Sequence, residues 1–496
     1  MDSKQYILSP REAHEAEQQW RIVKRSVDAR QRELRVHLTV LTDDNGQPIA
    51  KEAPIPLYAP PVFQDVHDAS RSVVIIGAGP AGLFAALTLL EHGIKPIIYE
   101  RGKEVSERKK DIALLNRNEG LNPESNYCFG EGGAGTFSDG KLFSRSKKRG
   151  NMQRVMELFH YFGAPDTVLY EAHAHIGSDK LPTIIKRMRE CILAHGGEIH
   201  FETKVESLTP YTLHHTPIIL AIGHSAHDTY RMLAAEGVAL ETKGFAMGVR
   251  AEHPQALINK LMYHLKPSVV SGQPSVVDFV GNASYSLVTQ VDGRGVYSFC
   301  MCPGGHIVPA GSSAGTCVVN GMSASHRNSP YANSGMVVQI NPEDIPGNDP
   351  LRGLEYQEEL ERLAFAHGKT PNLAPAQRMK DFVEGRASKD LPACSYLPGV
   401  VPSRLDQWLP AHIGKRLQQG FRDFDRKYPG FLTNDAVILG VESRSSSAVR
   451  IPRDPETLQS VSTPNLYPCG EGAGYAGGIT SSALDGINAA LAISRQ

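Results

Sequence analysis

Residues Arg71 to Gly93 read RSVVIIGAGPAGLFAALTLLEHG. Val73 to Ile76 is an uninterrupted β-branched run, the pattern of a strand buried on both faces of a parallel sheet. Gly77, Gly79 and Gly82 then complete G-x-G-x-x-G around Ala78, Pro80 and Ala81. Gly77 permits a tight turn, Gly79 lets a pyrophosphate approach the backbone, and Gly82 lets a helix pack closely on the strand. Pro80 suits the first helical turn, where a missing N–H costs little. Leu83, Phe84, Ala86, Leu87 and Leu90 supply an apolar face, and Gly93 a C-terminal stop. The free N–H groups and dipole at the helix start favour a bound phosphate. A second strand, Pro96 to Tyr99, ends in Glu100, roughly 20 residues beyond the glycines, where a carboxylate accepts hydrogen bonds from a ribose diol. Strand, glycine triplet, helix, strand and acid in one unit define a dinucleotide-binding fold; a glycine-rich turn in some other α/β protein is the weaker alternative.

The other end of the chain, Asn465 to Ala492, reads NLYPCGEGAGYAGGITSSALDGINAALA. Gly474, Gly477 and Gly478 permit backbone to lie close to a flat ring. Thr480 or Ser481 can cap a helix opening near Ile479, with Leu484, Ile487 and Leu491 as its buried stripe. Its positive end suits the N1/C2 edge of a flavin, where negative charge collects on reduction. Glu471, after Gly470, stands where many two-dinucleotide-fold flavoproteins place the acid that binds the ribityl chain. A glycine-rich loop docking a C-terminal helix is the alternative for this segment alone. Taken together, the two segments point to non-covalently bound FAD.

The 496 residues allow two to four domains. With 52 Lys and Arg against 53 Asp and Glu, the chain lacks the excess positive charge of a general nucleic-acid binder. No apolar run approaches a membrane span, and the N-terminus has no signal-peptide core. Seven scattered cysteines form neither a disulfide scaffold nor a metal pattern. A cytoplasmic protein acting on a small-molecule substrate, with no nucleic acid and no metal, is expected.

The expected fold class is α/β: an FAD-binding Rossmann-like domain of the two-dinucleotide-binding type, interrupted by a β-rich α+β substrate domain, plus a small N-terminal α+β module. The expected divisions are 1–65 for the N-terminal module, 66–225 for the first part of the FAD domain, 226–430 for the inserted cap, and 431–496 for the closing part. In the N-terminal module Glu12 to Glu33 is expected to be helical, and Arg35 to Leu41 alternates like a strand. Six basic residues between Arg21 and Arg35, against two acids, read as a solvated helix face or, less simply, a docking patch. Four prolines in 54–61 read as a linker. Leu181 to Gly197 is expected to be helical, Glu198 to Leu208 strand and turn. Pro217 to Gly223 is another buried strand, in which Ala221 and Gly223 are placed at the cofactor. Tyr285–Gln290, Val296–Cys302, Thr316–Asn320 and Met336–Ile340 read as strands of the cap, Leu354–Ala366 and Ala411–Lys427 as helices. From Val437 onward the chain is expected to return to the FAD domain.

Phe129 to Leu142, FGEGGAGTFSDGKL, is a loop rich in N–H donors. Gly133, Ala134, Gly135, Thr136, Lys141 and Leu142 are candidate cofactor contacts there; a plain surface loop is the alternative. Cys300-Met301-Cys302 is C-x-C on an expected strand, which reads first as a structural pair of small buried residues. His306, His326 and His224 are candidate proton donors. Arg250 and Arg444 are candidate anchors for an anionic substrate, against the simpler reading as ion pairs. Among these, His306, Arg250 and Arg444 are the candidate catalytic residues. Asn320 to Asn333, dense in hydrogen-bonding side chains, is a candidate functional loop. No second complete G-x-G-x-x-G appears, so NAD(P)H, a candidate electron donor, has no dedicated fingerprint.

The segments GAGPAGLFAAL, FGEGGAGTFSDGKL, GFAMGVRAEHP, FCMCPGG, VVNGMSASHRNSPYAN and YPCGEGAGYAGGITSSALDGI, with KRSVDAR near the start, resemble the bacterial family of uncharacterised FAD-dependent dehydrogenases. The resemblance covers most of the chain. It implies an FAD fold, an inserted substrate domain and oxidoreductase activity, with FAD contacts at Gly77, Gly79, Gly82, Glu100 with Arg101, and Gly470-Glu471. In related folds a backbone contact to adenine falls at Val205. The expected activity is hydride transfer between flavin N5 and an organic substrate. The alternatives are an NAD(P)H-driven reductase of an unsaturated substrate and a flavin-binding regulatory protein without turnover.

Overall fold

The Val73–Ile76 run lies in the strand Ser72–Ile76, and all four of its residues are buried. In the computed structural model, which describes residues 2–31, 33–53, 57–143, 150–212, 215–265, 275–368 and 373–496, this strand is the middle one of five. The order is Leu466–Pro468, Ile218–Leu220, Ser72–Ile76, Lys95–Tyr99, Glu198–His200, and every pairing is parallel. A three-residue strand from the end of the chain thus sits two places from the first glycine turn. Proline at the first turn opens the helix Pro80–Glu91, and Ala81 to Leu90 are all buried. A helix buried all round needs cover on both sides. The sheet supplies one side, and the closing helix Ile479–Ser494 supplies the other.

Two glycines set these distances. A Cβ on Gly82 would lie 1.9 Å from the Gly77 carbonyl oxygen, and one on Gly486 would lie 2.0 Å from that of Ala81. Only hydrogen fits at either place, so helix meets turn and helix meets helix backbone to backbone.

The larger sheet has seven strands, in the order Val288–Val291, Arg294–Cys302, Tyr331–Ile340, Phe245–Pro254, Val437–Glu442, Ala374–Arg378, Val400–Pro402. All pairings are antiparallel except the last. The helix Ala411–Lys427 covers it through Ile413, Leu417, Phe421 and Phe424. Val437–Glu442 corrects the expected division at residue 431. Its buried apolar run suits a parallel core strand, yet it pairs with Phe245–Pro254 and Ala374–Arg378 in the centre of this antiparallel sheet. The chain rejoins the parallel sheet only at Leu466.

At the N-terminus, Asp2–Leu8, Arg35–Thr42 and Ile22–Asp28 form an antiparallel sheet against the helix Pro10–Gln19. Ser9 and Glu12 make a capping box at its start. The helix expected over Glu12–Glu33 therefore ends at Gln19, and Ile22–Asp28 within that span is a strand. The reason is Arg25, which is buried. It donates to Glu17 at 2.5 Å, to Glu171 at 2.8 Å and to the Phe279 carbonyl at 3.3 Å, tying the module to the rest of the chain. The expected linker at 54–61 lies partly outside the described residues. The expected α/β class, with a parallel dinucleotide-type sheet and a β-rich second sheet, is borne out.

Gly82→Val and Gly486→Val are expected to unfold the parallel-sheet half or to leave the protein insoluble, because neither clash is with a side chain that can move. Thermal unfolding followed by circular dichroism tests this; a wild-type midpoint in either variant contradicts the packing described.

Candidate functional site

The carboxyl ends of the parallel strands open onto a cavity that is partly open to solvent. Ligands of open parallel sheets bind at this edge. Its wall is built from both glycine segments: Gly77, Gly79, Pro80 and Ala81 from the first, Gly470, Glu471, Gly478 and Ile479 from the second. Glu100, Arg101, Gly133, Ala134, Gly135, Val205, Ala221 and Gly223 line it too. Ala78, Gly82, Thr136, Lys141 and Leu142 do not. Ala78 and Gly82 face the fold. Thr136 turns its hydroxyl to the Glu131 carbonyl, and the Leu142 carbonyl accepts from Thr480.

Glu100 organises the first turn. Its carboxylate, almost fully buried, accepts from the backbone N–H of Ala78 at 2.9 Å, Gly102 at 2.9 Å and Gly130 at 3.0 Å. It therefore fastens the 129–142 loop to the glycine turn as well as facing the cavity. Arg108 completes that fastening. It is fully buried and donates to the carbonyls of Asn126, Tyr127, Gly130, Glu131 and Gly133 at 2.8–3.2 Å. Burial pulls its guanidinium down to about 10, against the pull of Glu100. Nothing in the charged run around Arg108 distinguishes it from a solvated helix face, so sequence reasoning passes it over. Burial likewise pushes the neighbouring Glu131 carboxyl up to about 7.

On another wall, Arg101 makes a two-bonded ion pair with Asp228 (2.9 Å each) and lies over the Phe129 ring at 4.1 Å. On the closing segment, Asp485 accepts from the Gly470 N–H at 2.7 Å and from Arg453, fixing the turn that presents Glu471. Glu471 stands 3.5 Å from His224, and both line the cavity.

A second chamber adjoins the first and shares Cys128, Ala134, Ser138, His224, Ser225, Cys300, Asn320 and Arg444 with it. Its remaining wall is chiefly apolar, from Tyr127, Phe137, Val308 and Val318. The expected anion anchors are corrected here. Arg444 is paired with Glu361 through two contacts of 2.8 Å, and Arg250 with Glu442 at 3.1 Å, with Asn320 and Asn333 as further acceptors. Both guanidinium groups are buried and already neutralised. His306 and His326 are exposed and line neither chamber; His306 sits in the strand His306–Pro309, turned outward. Of the polar 320–333 stretch, only Asn320 and Gly321 reach a chamber wall. Among the described residues no group of three or more His, Cys, Asp or Glu is placed to hold a metal, and no helix is long and apolar enough to cross a membrane.

The cavity passes a direct test for a bound dinucleotide. A Cβ on Gly477 or Gly478 would meet nothing within 4 Å, and one on Gly79 would meet only the Gly133 Cα at 3.8 Å. None of the three has a left-handed φ. Neither packing nor backbone strain explains these glycines, whereas a molecule pressed against the backbone does. The start of the helix Pro80–Glu91 offers N–H groups to a pyrophosphate at the same place.

Comparison with known proteins agrees. Residues 70–235 match the model of the FAD binding domain, and residues 244–445 match that of the FAD-dependent protein, C-terminal domain-like family. An uncharacterized protein of Clostridium beijerinckii is 40% identical over 499 residues, covering 95% of this chain and 91% of its own. The fold and its cavity define an FAD-binding protein, and the chain belongs to this uncharacterised FAD-dependent family. Solved structures with similarity include CtdE in complex with FAD, at 10% identity over 85% of this chain and 84% of that one, with a TM-score of 0.29. The halogenase PltM is 12% identical over 86% of this chain and 68% of its own, with a TM-score of 0.33.

Gly79→Val should fold with a near-wild-type midpoint as apoprotein yet purify without flavin, because its side chain enters the cavity and not the core. Arg108→Met should instead destabilise, by about 3 kcal/mol or more, since each buried carbonyl left unpaired costs about 1–3 kcal/mol. Flavin absorbance per protein, with urea unfolding of the apoproteins, separates the two. Full occupancy in the valine variant contradicts the site.

Proposed function

We propose that the protein is an FAD-dependent oxidoreductase that exchanges a hydride with a small organic substrate held in the second chamber. The observation that carries this reading is the shared wall. A chamber with an apolar body and a few convergent polar groups opens beside the closing glycine segment, the arrangement of a substrate site next to a cofactor. Bound FAD supplies the hydride acceptor or donor. The chain's own groups do the rest. Gly79 and the start of the Pro80–Glu91 helix would hold the pyrophosphate, and Glu100 with Arg101 and Val205 the adenosine end. Gly470, Glu471 and Gly478 would hold the end that faces the second chamber.

The charge balance narrows the substrate. With Arg444 paired to Glu361 and Arg250 to Glu442, the described residues of the chamber wall present no unpaired Arg or Lys to a carboxylate or phosphate. An uncharged, partly apolar molecule fits better, oriented by Asn320 and Ser225. His224, 3.5 Å from Glu471, is the histidine placed to pass a proton. Among the described residues there is one parallel sheet of dinucleotide type. This favours direct reduction of the flavin by substrate over a dedicated NAD(P)H site.

Anaerobic mixing of the holoprotein with a panel of neutral alcohols, amines and unsaturated ring compounds should give saturable loss of flavin colour with at least one class. NADH and NADPH should reduce the flavin slowly and without saturation. Fast, saturable bleaching by micromolar NAD(P)H, with no response to the panel, would replace this reading with that of a nicotinamide-driven reductase.

A further inference from the structure

The C-x-C pair does not lie flat on its strand. The pairing of Arg294–Cys302 with Tyr331–Ile340 slips between Phe299 and Cys302, and Cys300 within that bulge has φ +47°. A regular strand would send both cysteines to one face. The bulge instead turns Cys300 to the wall shared by the two chambers, while Cys302 stays fully buried behind it. Left-handed backbone at a residue with a side chain is costly, and such positions concentrate at functional sites.

Two cations reach the buried thiol. Arg250 Nη2 is 3.6 Å from Cys302 Sγ and also donates to the Cys300 carbonyl at 2.8 Å. Lys141 Nζ is 3.9 Å from Cys302 Sγ and donates to the Met301 carbonyl. Lys141, an expected cofactor contact, therefore serves the cysteines instead. Glu442 and Asp139 are the acids nearby; Glu442 pairs with Arg250, and Asp139 with Arg327 and, at 3.6 Å, with Lys141 itself. Cys302 Sγ donates to the Cys300 carbonyl at 3.3 Å. The Cys302 side chain, with Lys141 and Arg250, outweighs burial and holds the Cys300 thiol below its usual range, while Cys302 is raised. The more acidic sulfur of the pair is thus the one at the cavity wall.

We propose that Cys300 and Cys302 form a redox-active dithiol that exchanges two electrons with the bound FAD. In the forward direction the S–H bonds of Cys300 and Cys302 break and an S–S bond joins the two sulfurs. Two electrons pass to the oxidised flavin, and the two protons pass to the flavin or to solvent. The reverse transfer opens the disulfide. The cavity would then serve a substrate that is itself a disulfide or thiol, or the pair would store electrons between substrate and flavin. The inference rests on the reading of the protein as a flavin oxidoreductase, but its test needs no substrate.

Air-oxidised holoprotein is titrated anaerobically with dithionite, in the wild type and in Cys300→Ser and Cys302→Ser. The wild type should take up twice as many electrons per flavin as either variant. In parallel, wild-type holoprotein is denatured and alkylated before and after reduction. The peptide carrying both cysteines should be lighter by two hydrogens and resist alkylation before reduction, and take two labels after it. Equal electron uptake in all three proteins, with both cysteines alkylated in the oxidised wild type, overturns the proposal even if a variant folds poorly. A flavin that dithionite reduces but no organic substrate does would count against the oxidoreductase reading alone.

Discussion

Three backbone amides from three separate segments converge on the carboxylate of Glu100. One belongs to the glycine turn, one to the chain leaving the second parallel strand, and one to the loop that covers the turn. A buried carboxylate with no such donors would be expensive, and three amides without an acceptor equally so. Their union fixes the mouth of the cavity before any cofactor arrives. Arg108 extends the same logic from the opposite charge, gathering five carbonyls of the covering loop onto one guanidinium. The loop therefore has almost no regular secondary structure and yet a determined shape.

The other half of the cavity depends on a strand of three residues and a helix that follows it. Leu466–Pro468 joins the parallel sheet beside Ile218–Leu220, and Ile479–Ser494 lies on Pro80–Glu91 at Gly486. Residues separated by most of the chain thus close one site. The seven-stranded sheet lies between them in sequence and brings Cys300 and, just beyond its strand Val437–Glu442, Arg444 to the cavity wall, while Asn320 comes from the two-stranded sheet of His306–Pro309 and Val319–Met322. The division of labour is physical: backbone and glycine line one side of the cavity, and side chains from the two antiparallel sheets and from the segment after Val437–Glu442 line the other.

Both glycine segments were legible because each carries its own geometry. A strand, a turn, a helix and an acid occur at distances that only one local structure satisfies. Position along the sheet was less legible. Val437–Glu442 is apolar throughout, and such a run does not tell a central antiparallel strand from a parallel one. Charge misled more often than apolarity. Arg25, Arg108 and Arg250 are all buried, each because acceptors from distant segments surround it, and no local pattern announces that. The polar stretch around His306 and His326 drew attention by density alone, while the chamber wall was built from Cys128, Cys300, Asn320 and Arg444. On a regular strand the C-x-C pair is structural; the bulge at Cys300 changes its exposure, and a bulge leaves little trace in sequence.

A crystal structure of the holoprotein tests the central claim most directly. The account predicts density for FAD along the cavity, with its pyrophosphate against Gly79 and the start of the Pro80–Glu91 helix, its adenosine end beside Glu100 and Arg101, and its ring between Gly478 and Cys300. Density for the cofactor elsewhere, or a ring walled off from Cys300 and Asn320, would contradict it.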